Sequence, residues 1–353
     1  MTTALDCPLS VMQRAQYGQV LRFSRTIGDP SPEPVGQMQS IGRVVSSLCV
    51  VVGVVCADPL PGQSITPKFA WPANSVAELR ITGFSVRESN GKRDSTMTVG
   101  ESKLEGRAHP YGRLIISGPT TGMSNLSAPD ATGSLDALMK HVVRYVVRAD
   151  GRFSGLEDVE ATKRSMEAAM APMTERLRSV SPAAAAAIAK MTTLERLNEN
   201  GEQAWQQISG MLFGRNWTPG DTAQRRWTQP VPGFAGAEVV TTQVIRHVGV
   251  VQCPANSGVK RCWQFESSTS MDMNSLRAAV VATLREMGID DPGATAQMPV
   301  PRTTTTTTLV FDAATSRPLV STAEMTMDMS GVLGERAVSN SARARTVTTY
   351  VWK

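Results

Sequence analysis

The sequence predicts an α+β protein built on an extensive curved antiparallel sheet, with amphipathic helices packed on one face of the sheet and a helical insert. The first observation is that apolar and polar residues alternate in many short segments, separated by Gly, Pro and Asn turns. The second is a central block of about 60 residues in which apolar residues recur every three or four positions. In each half of the chain the pattern indicates several strands followed by a helix. One interpretation is therefore that the protein consists of two similar halves.

The N-terminal β region is predicted at residues 58–150. Its first strand, AELRITGFSVRE at 77–88, alternates apolar and polar residues, and Gly83 shifts the phase as a β-bulge would. The following strands are predicted at 96–99, 113–117 and 141–148.

The helical insert is predicted at residues 151–216. Ser154 and Glu157 have the spacing of a capping box that begins the first helix. Pro182 is suited to the first turn of a second helix, and Thr193 to the N-cap of a third.

The C-terminal β-rich region is predicted at residues 217–353 and includes one helix, capped by Asn274 and ended by Gly288. Together with the two preceding regions, it is expected to form one compact unit over residues 58–353. Its strands are predicted from Thr222 onward and at 237–252, 260–271, 303–311, 319–329 and 342–352.

A hydrophobic run at residues 44–57, VVSSLCVVVGVVCA, has the features of an export signal that starts at Met38. Arg43 supplies the positive flank, and small residues precede a cleavage site between Ala57 and Asp58. The sequence therefore predicts a signal peptide at 38–57 and a periplasmic or secreted protein after cleavage.

Three alternatives to simple cleavage remain open: a membrane anchor, a buried core helix, and lipid attachment at Cys56. The run has 14 residues, whereas a spanning helix needs about 20, so no transmembrane span is expected in the mature chain. Residues 1–37 are interpreted as a mis-annotated or disordered leader, because DPSPEPVG at 29–36 has no periodicity.

The charge balance does not favour nucleic-acid binding. The whole chain carries 36 Lys and Arg against 31 Asp and Glu, a formal net charge of +5. The segment removed by cleavage holds four Arg and three acidic residues, so the mature chain keeps a net charge of +4. This mild excess is spread along the chain without a basic run, so no nucleic-acid partner is expected.

Cys253 and Cys262 are the two cysteines that remain after cleavage. An even pair in an exported chain favours a disulfide. Both cysteines are flanked by strand-like segments with a turn-rich stretch between them, so the bond is predicted to join the arms of a hairpin. Zinc binding is disfavoured because no second Cys or His pair lies at ligand spacing.

No catalytic, cofactor-binding or metal-binding residues are predicted. The chain contains no HExxH, GxSxG, Walker-type, GxGxxG or CxxC motif. The histidines, His109, His141 and His247, are isolated and are read as surface or hydrogen-bonded structural residues. The sequence therefore favours a protein that is not an enzyme and has no cofactor.

Methionine is over-used, and 15 of the 18 methionines lie in the mature chain. Met325, Met327 and Met329 alternate with Thr326 and Asp328, so they are predicted to share one strand face. Such a row has three interpretations: core packing, an adaptable apolar ligand surface or a Cu(I) site.

Three segments resemble uncharacterised exported proteins of high-GC Gram-negative bacteria: YVVRADGRFSGLEDVE at 145–160, EQAWQQISGML at 202–212 and FDAATSRPLVSTAEM at 311–325, with the paired-cysteine strands between the last two. The resemblance covers most of the mature chain and implies export but no activity. The predicted architecture is also similar, by analogy alone, to the open half-barrel of periplasmic lipoprotein and lipid carriers.

These observations predict a non-enzymatic cell-envelope protein that binds an apolar ligand or lipid on a Met-rich sheet face. One alternative is an envelope assembly or protein-interaction factor that pairs a partner protein with a sheet edge. The other is a hydrolase whose residues are brought together only by the fold.

Overall fold

The computed structural model describes residues 64–89, 91–121, 142–180, 182–230, 238–255, 257–286, 300–333 and 336–353. The predictions made for the leader, the signal peptide and the cleavage site at Ala57 and Asp58 lie outside the described residues, as do those for His141 and Gly288.

The described residues form one antiparallel sheet of eleven strands in the order β5-β4-β3-β2-β1-β11-β10-β9-β8-β7-β6. This confirms the extensive antiparallel sheet that the alternating pattern predicts. The strands are β1 Ser75–Ser89, β2 Lys92–His109, β3 Gly112–Ser117, β4 Val143–Arg148, β5 Phe153–Leu156, β6 Thr222–Pro230, β7 Glu238–Val251, β8 Cys262–Met271, β9 Arg302–Asp312, β10 Pro318–Leu333 and β11 Arg336–Trp352.

Three helices and a short 3-10 turn lie between β5 and β6, and a fourth helix lies between β8 and β9. The described ranges hold no helix with the length and apolar character needed to cross a membrane. The helices are α1 Val159–Val180, α2 Pro182–Met191, α3 Leu194–Ile208 and α4 Met273–Glu286, with the 3-10 turn at Gly210–Leu212.

Two of the predicted helix starts are wrong and two are correct. Ser154 lies in β5, and α1 begins later because the Asp158 side chain accepts the Ala161 N–H at 3.0 Å. In the same way Asp272, not Asn274, caps α4. Pro182 begins α2, and Thr193 caps α3, as predicted.

The strand order makes the sheet from two meanders that meet at its centre. Strands β1 to β5 run outward to one edge, strands β11 to β6 run outward to the other, and β1 pairs with β11. Among the described residues, helices α1 to α3 follow β5 of the first meander, and α4 lies between β8 and β9 of the second.

Helix α3 contacts both edges of the sheet. Its Asn198 side chain accepts the Leu156 N–H of β5 at 3.1 Å, while Arg196 donates to the Thr228 carbonyl of β6 at 3.3 Å. Ten strand spacings of about 4.8 Å would hold these edges roughly 48 Å apart in a flat sheet. Because two residues of one helix reach both edges, the sheet is strongly rolled around α3.

An aromatic core fills the rolled sheet beneath α3. Trp205 of α3 packs against Phe69 and Trp71 in the segment before β1, with ring centroids 5.8 and 5.6 Å apart. Its indole N–H donates to the Gly151 carbonyl at 2.9 Å, so its burial leaves no polar atom without a partner. The core therefore joins the helix to the centre of the sheet.

The disulfide predicted between Cys253 and Cys262 is present, with the two Cα atoms 5.2 Å apart. Cys262 begins β8, and Cys253 lies two residues beyond the end of β7, so the bond closes the loop of this hairpin. Closing a loop of this size contributes about 2.5 to 3 kcal/mol in the chain-entropy account.

The bulge predicted at Gly83 is wrong. Strand β1 pairs with β2 and with β11 in continuous register, and the two partners together fix its phase. Ile81 and Ser85 are therefore buried on one face, while Phe84 lies on the opposite face with 52% of its surface exposed.

We expect Phe84→Ala to lower the free energy of unfolding by less than about 1 kcal/mol, because Phe84 is largely exposed. The matched variant Ile81→Ala removes a buried side chain and should cost about 2 to 5 kcal/mol. Urea unfolding of both variants measures the difference. Equal losses would show that Phe84 packs in the core.

Candidate functional site

One face of the sheet, here called the inner face, carries the aromatic core at one end. Phe265 and Leu309 on β8 and β9, and Ile81 on β1, point to this face and are buried. Toward the other end, the inner-face positions of the central strands hold mostly Gly, Ala, Ser, Thr and Met, together with Arg87 on β1 and Asn340 on β11. This second end is where the predicted site residues lie.

Met325, Met327 and Met329 lie on the inner face of β10, as their spacing predicts. All three are partly buried, whereas the alternating residues Glu324 and Asp328 are exposed. Glu324 forms an exposed ion pair with Arg345 at 3.5 Å, which marks the opposite, solvated face. The three thioethers thus form a row about 6.8 Å apart along the strand.

Small side chains flank the methionine row on β11. Met325 stands opposite Ala344, and Met327 stands opposite Ala342. Both alanines are buried, at 9% and 8% exposure. Flexible Met side chains beside short Ala side chains give an adaptable apolar surface. The methionine groove is hereafter the set Met325, Met327, Met329, Ala342 and Ala344.

Ser85 and Arg87 of β1 adjoin the groove beyond its alanines. Ser85 stands opposite Ala344, and Arg87 stands opposite Ala342. Ser85 Oγ and Arg87 Nε are both buried without a hydrogen-bond partner. The sequence reading missed this pair because a bulge at Gly83 would have turned both side chains to the outer face.

The disulfide lies far from the groove. In the sheet register, Thr269 of β8 is level with Thr305 of β9 and with Met325. Cys262 lies seven residues before Thr269, so roughly 24 Å along the strands separates it from the groove. The structure therefore does not bring the cysteine pair and the methionine row together.

His247 is a buried histidine that sequence reasoning took for a surface or hydrogen-bonded one. It is 1% exposed and stacks on Phe265 with ring centroids 4.8 Å apart. Neither ring nitrogen forms a hydrogen bond of ordinary geometry within the described residues. Burial lowers the pKa of His247 below its ordinary 6.5, against smaller opposing effects of the Thr218 backbone and the Asp221 carboxylate.

No group of three His, Cys, Asp or Glu side chains that could hold a metal ion occurs among the residues that the structure describes. His247 is a buried titratable group of the core, stacked on Phe265.

We expect His247 to make the protein less stable in acid. Below about pH 6.5 the unfolded chain takes up a proton on His247 that the folded chain does not, so stability falls from pH 6.5 down to the lowered folded pKa. His247→Phe should reduce the difference between urea unfolding at pH 5 and at pH 7.5. His109→Gln leaves His247 in place and should retain the wild-type difference. An unchanged difference in His247→Phe would contradict this account.

No protein-family model and no curated protein sequence matches this chain. Among solved structures, one described as lipid-protein interactions in lipovitellin is similar over 79% of this chain and 25% of that chain, at 11% sequence identity and a TM-score of 0.35. This chain thus spans about a quarter of the length of that chain. A likeness this low supports no statement about fold or ligand.

Proposed function

We propose that this chain is an exported, non-enzymatic protein of the cell envelope that binds an apolar ligand or lipid in the methionine groove. The observation that carries the proposal is the half-buried row of three methionines beside two buried alanines on the inner face. Methionine side chains adapt to ligands of different shape, and the groove itself has no charged residue.

The alternative of strand addition at a sheet edge has less support. The β5 edge gives its Leu156 N–H to Asn198, and the β6 edge has its Thr228 carbonyl bound by Arg196. Edge groups that already have partners are poorer templates for a further strand. For a hydrolase, no observation in the described residues supplies a positive argument.

Changing the groove should weaken binding of an uncharged apolar probe. We expect the double variant Met325→Gln and Met327→Gln to weaken N-phenyl-1-naphthylamine about tenfold or more, because a polar amide replaces apolar contact area. Met97→Gln is the matched control, since Met97 is 61% exposed on the outer face. Fluorescence titration measures both.

Methionine methyl NMR spectra of the unsubstituted protein provide a second measurement that does not depend on the fold of a variant. The probe should shift the Met325 and Met327 methyl signals and leave that of Met97 in place. Absence of probe binding, or equal effects of the groove and control variants, would refute the proposal.

Export has its own test. The hydrophobic run at 44–57 and the small residues before position 58 support cleavage between Ala57 and Asp58. N-terminal sequencing of the protein recovered from the periplasm or medium should begin at Asp58. A product that retains residues 1–37 would contradict the export signal at Met38.

A further inference from the structure

Two buried polar atoms beside the methionine groove have no hydrogen-bond partner among the residues that the structure describes. Ser85 is 3% exposed and its Oγ has no hydrogen bond. Two residues along the same strand face, Arg87 Nε is also buried without an acceptor. Most buried polar atoms in folded proteins are hydrogen-bonded, and these two lie two residues apart on one face, where a single acceptor could pair with both.

The carboxylate opposite Arg87 in the sheet does not supply that acceptor. Asp94 of β2 stands opposite Arg87 in the sheet register, but it is exposed. Among the described residues, Arg87 forms no ion pair with Asp94 or any other carboxylate. Lys92 follows on the same face toward the hairpin end, so the local side-chain charge is positive.

Arg87 is level with Met327. Ala342 of β11 stands opposite both residues, Arg87 on one side and Met327 on the other. Two strand spacings of about 4.8 Å place the two Cα atoms roughly 10 Å apart. A cationic hydrogen-bond donor thus lies across one alanine from an apolar row.

This arrangement fits a molecule with two chemical parts. A guanidinium group donates only, so the ligand must present an acceptor, and an anionic oxygen forms the stronger, charge-assisted bond. Carboxylate and phosphate oxygens share that chemistry. The neighbouring methionines and alanines contact apolar groups.

We propose that Arg87 and Ser85 bind the anionic head group of an amphiphilic ligand whose apolar chain lies in the methionine groove. The proposal rests on the function proposed above and specifies the ligand class. Arg87 Nε and Ser85 Oγ donate to one carboxylate or phosphate, and the chain runs over Ala342 and Ala344 against Met325 and Met327.

The test is displacement of N-phenyl-1-naphthylamine by oleate, oleyl phosphate and oleyl alcohol, each below its micelle concentration, at pH 8. Arg87→Gln should weaken the two anions about tenfold or more and change oleyl alcohol by less than about twofold. Ser85→Ala should weaken the anions less, since it removes one neutral donor. Arg93→Gln is the control, because Arg93 lies on the outer face of the same hairpin.

The Arg87 Nε–H NMR signal of the unsubstituted protein gives a readout that needs no variant. Oleate or oleyl phosphate should shift this signal, while oleyl alcohol should not. The anion that binds more tightly identifies carboxylate or phosphate as the preferred head group.

Two failures can be told apart. Equal binding of anions and alcohol, with no effect of Arg87→Gln and no shift of the Nε–H signal, overturns the head-group proposal and leaves apolar binding intact. Failure of every probe, the naphthylamine included, overturns both.

Discussion

The packing of Trp205 beneath the rolled sheet is the contact on which the architecture depends. Its ring meets Trp71 at the centre of the sheet and Tyr145 near the β5 edge, and its N–H binds the Gly151 carbonyl. The polar side of the same helix binds β6 through Arg196. An indole that is fully buried and fully hydrogen-bonded fixes the helix, and the helix then holds the two sheet edges near each other.

The two ends of the inner face differ in side-chain chemistry. The end beneath the helix is filled by aromatic rings such as Trp217 and Phe265, whose centroids lie 5.1 Å apart. At the other end, the central strands place Ala342 and Ala344 beside flexible methionines. Large rigid rings suit a permanent core, whereas small and flexible side chains suit a surface that accommodates a guest.

Most strand positions could be predicted from the sequence because a half-buried strand repeats every two residues or is rich in strand-forming residues, and every strand except β5 overlaps a predicted segment. β5 was missed because its four residues are too few to show a period and resemble a helix cap.

The bulge at Gly83 was a wrong prediction of another kind. The backbone register continues through Gly83 without a shift. Apolar residues lie on both faces of β1, because Ile81 packs in the core on the inner face and Phe84 is exposed on the outer face. Alternation reports which face is apolar and cannot tell such an arrangement from a bulge.

Whether β1 has a bulge at Gly83 decides whether the polar side chains of Ser85 and Arg87 lie beside the methionine groove. In continuous register, Ser85 and Arg87 take inner-face positions, and each leaves a buried polar atom without a partner. A buried, unsatisfied donor costs about 1 to 3 kcal/mol, and more when the group is charged. Replacing Ser85 by alanine would remove one such donor while keeping the small volume that the face requires. A strand with these two unpaired donors is less stable than a strand without them. In the proposed complex, hydrogen bonds to the anionic head group offset this cost in folding free energy.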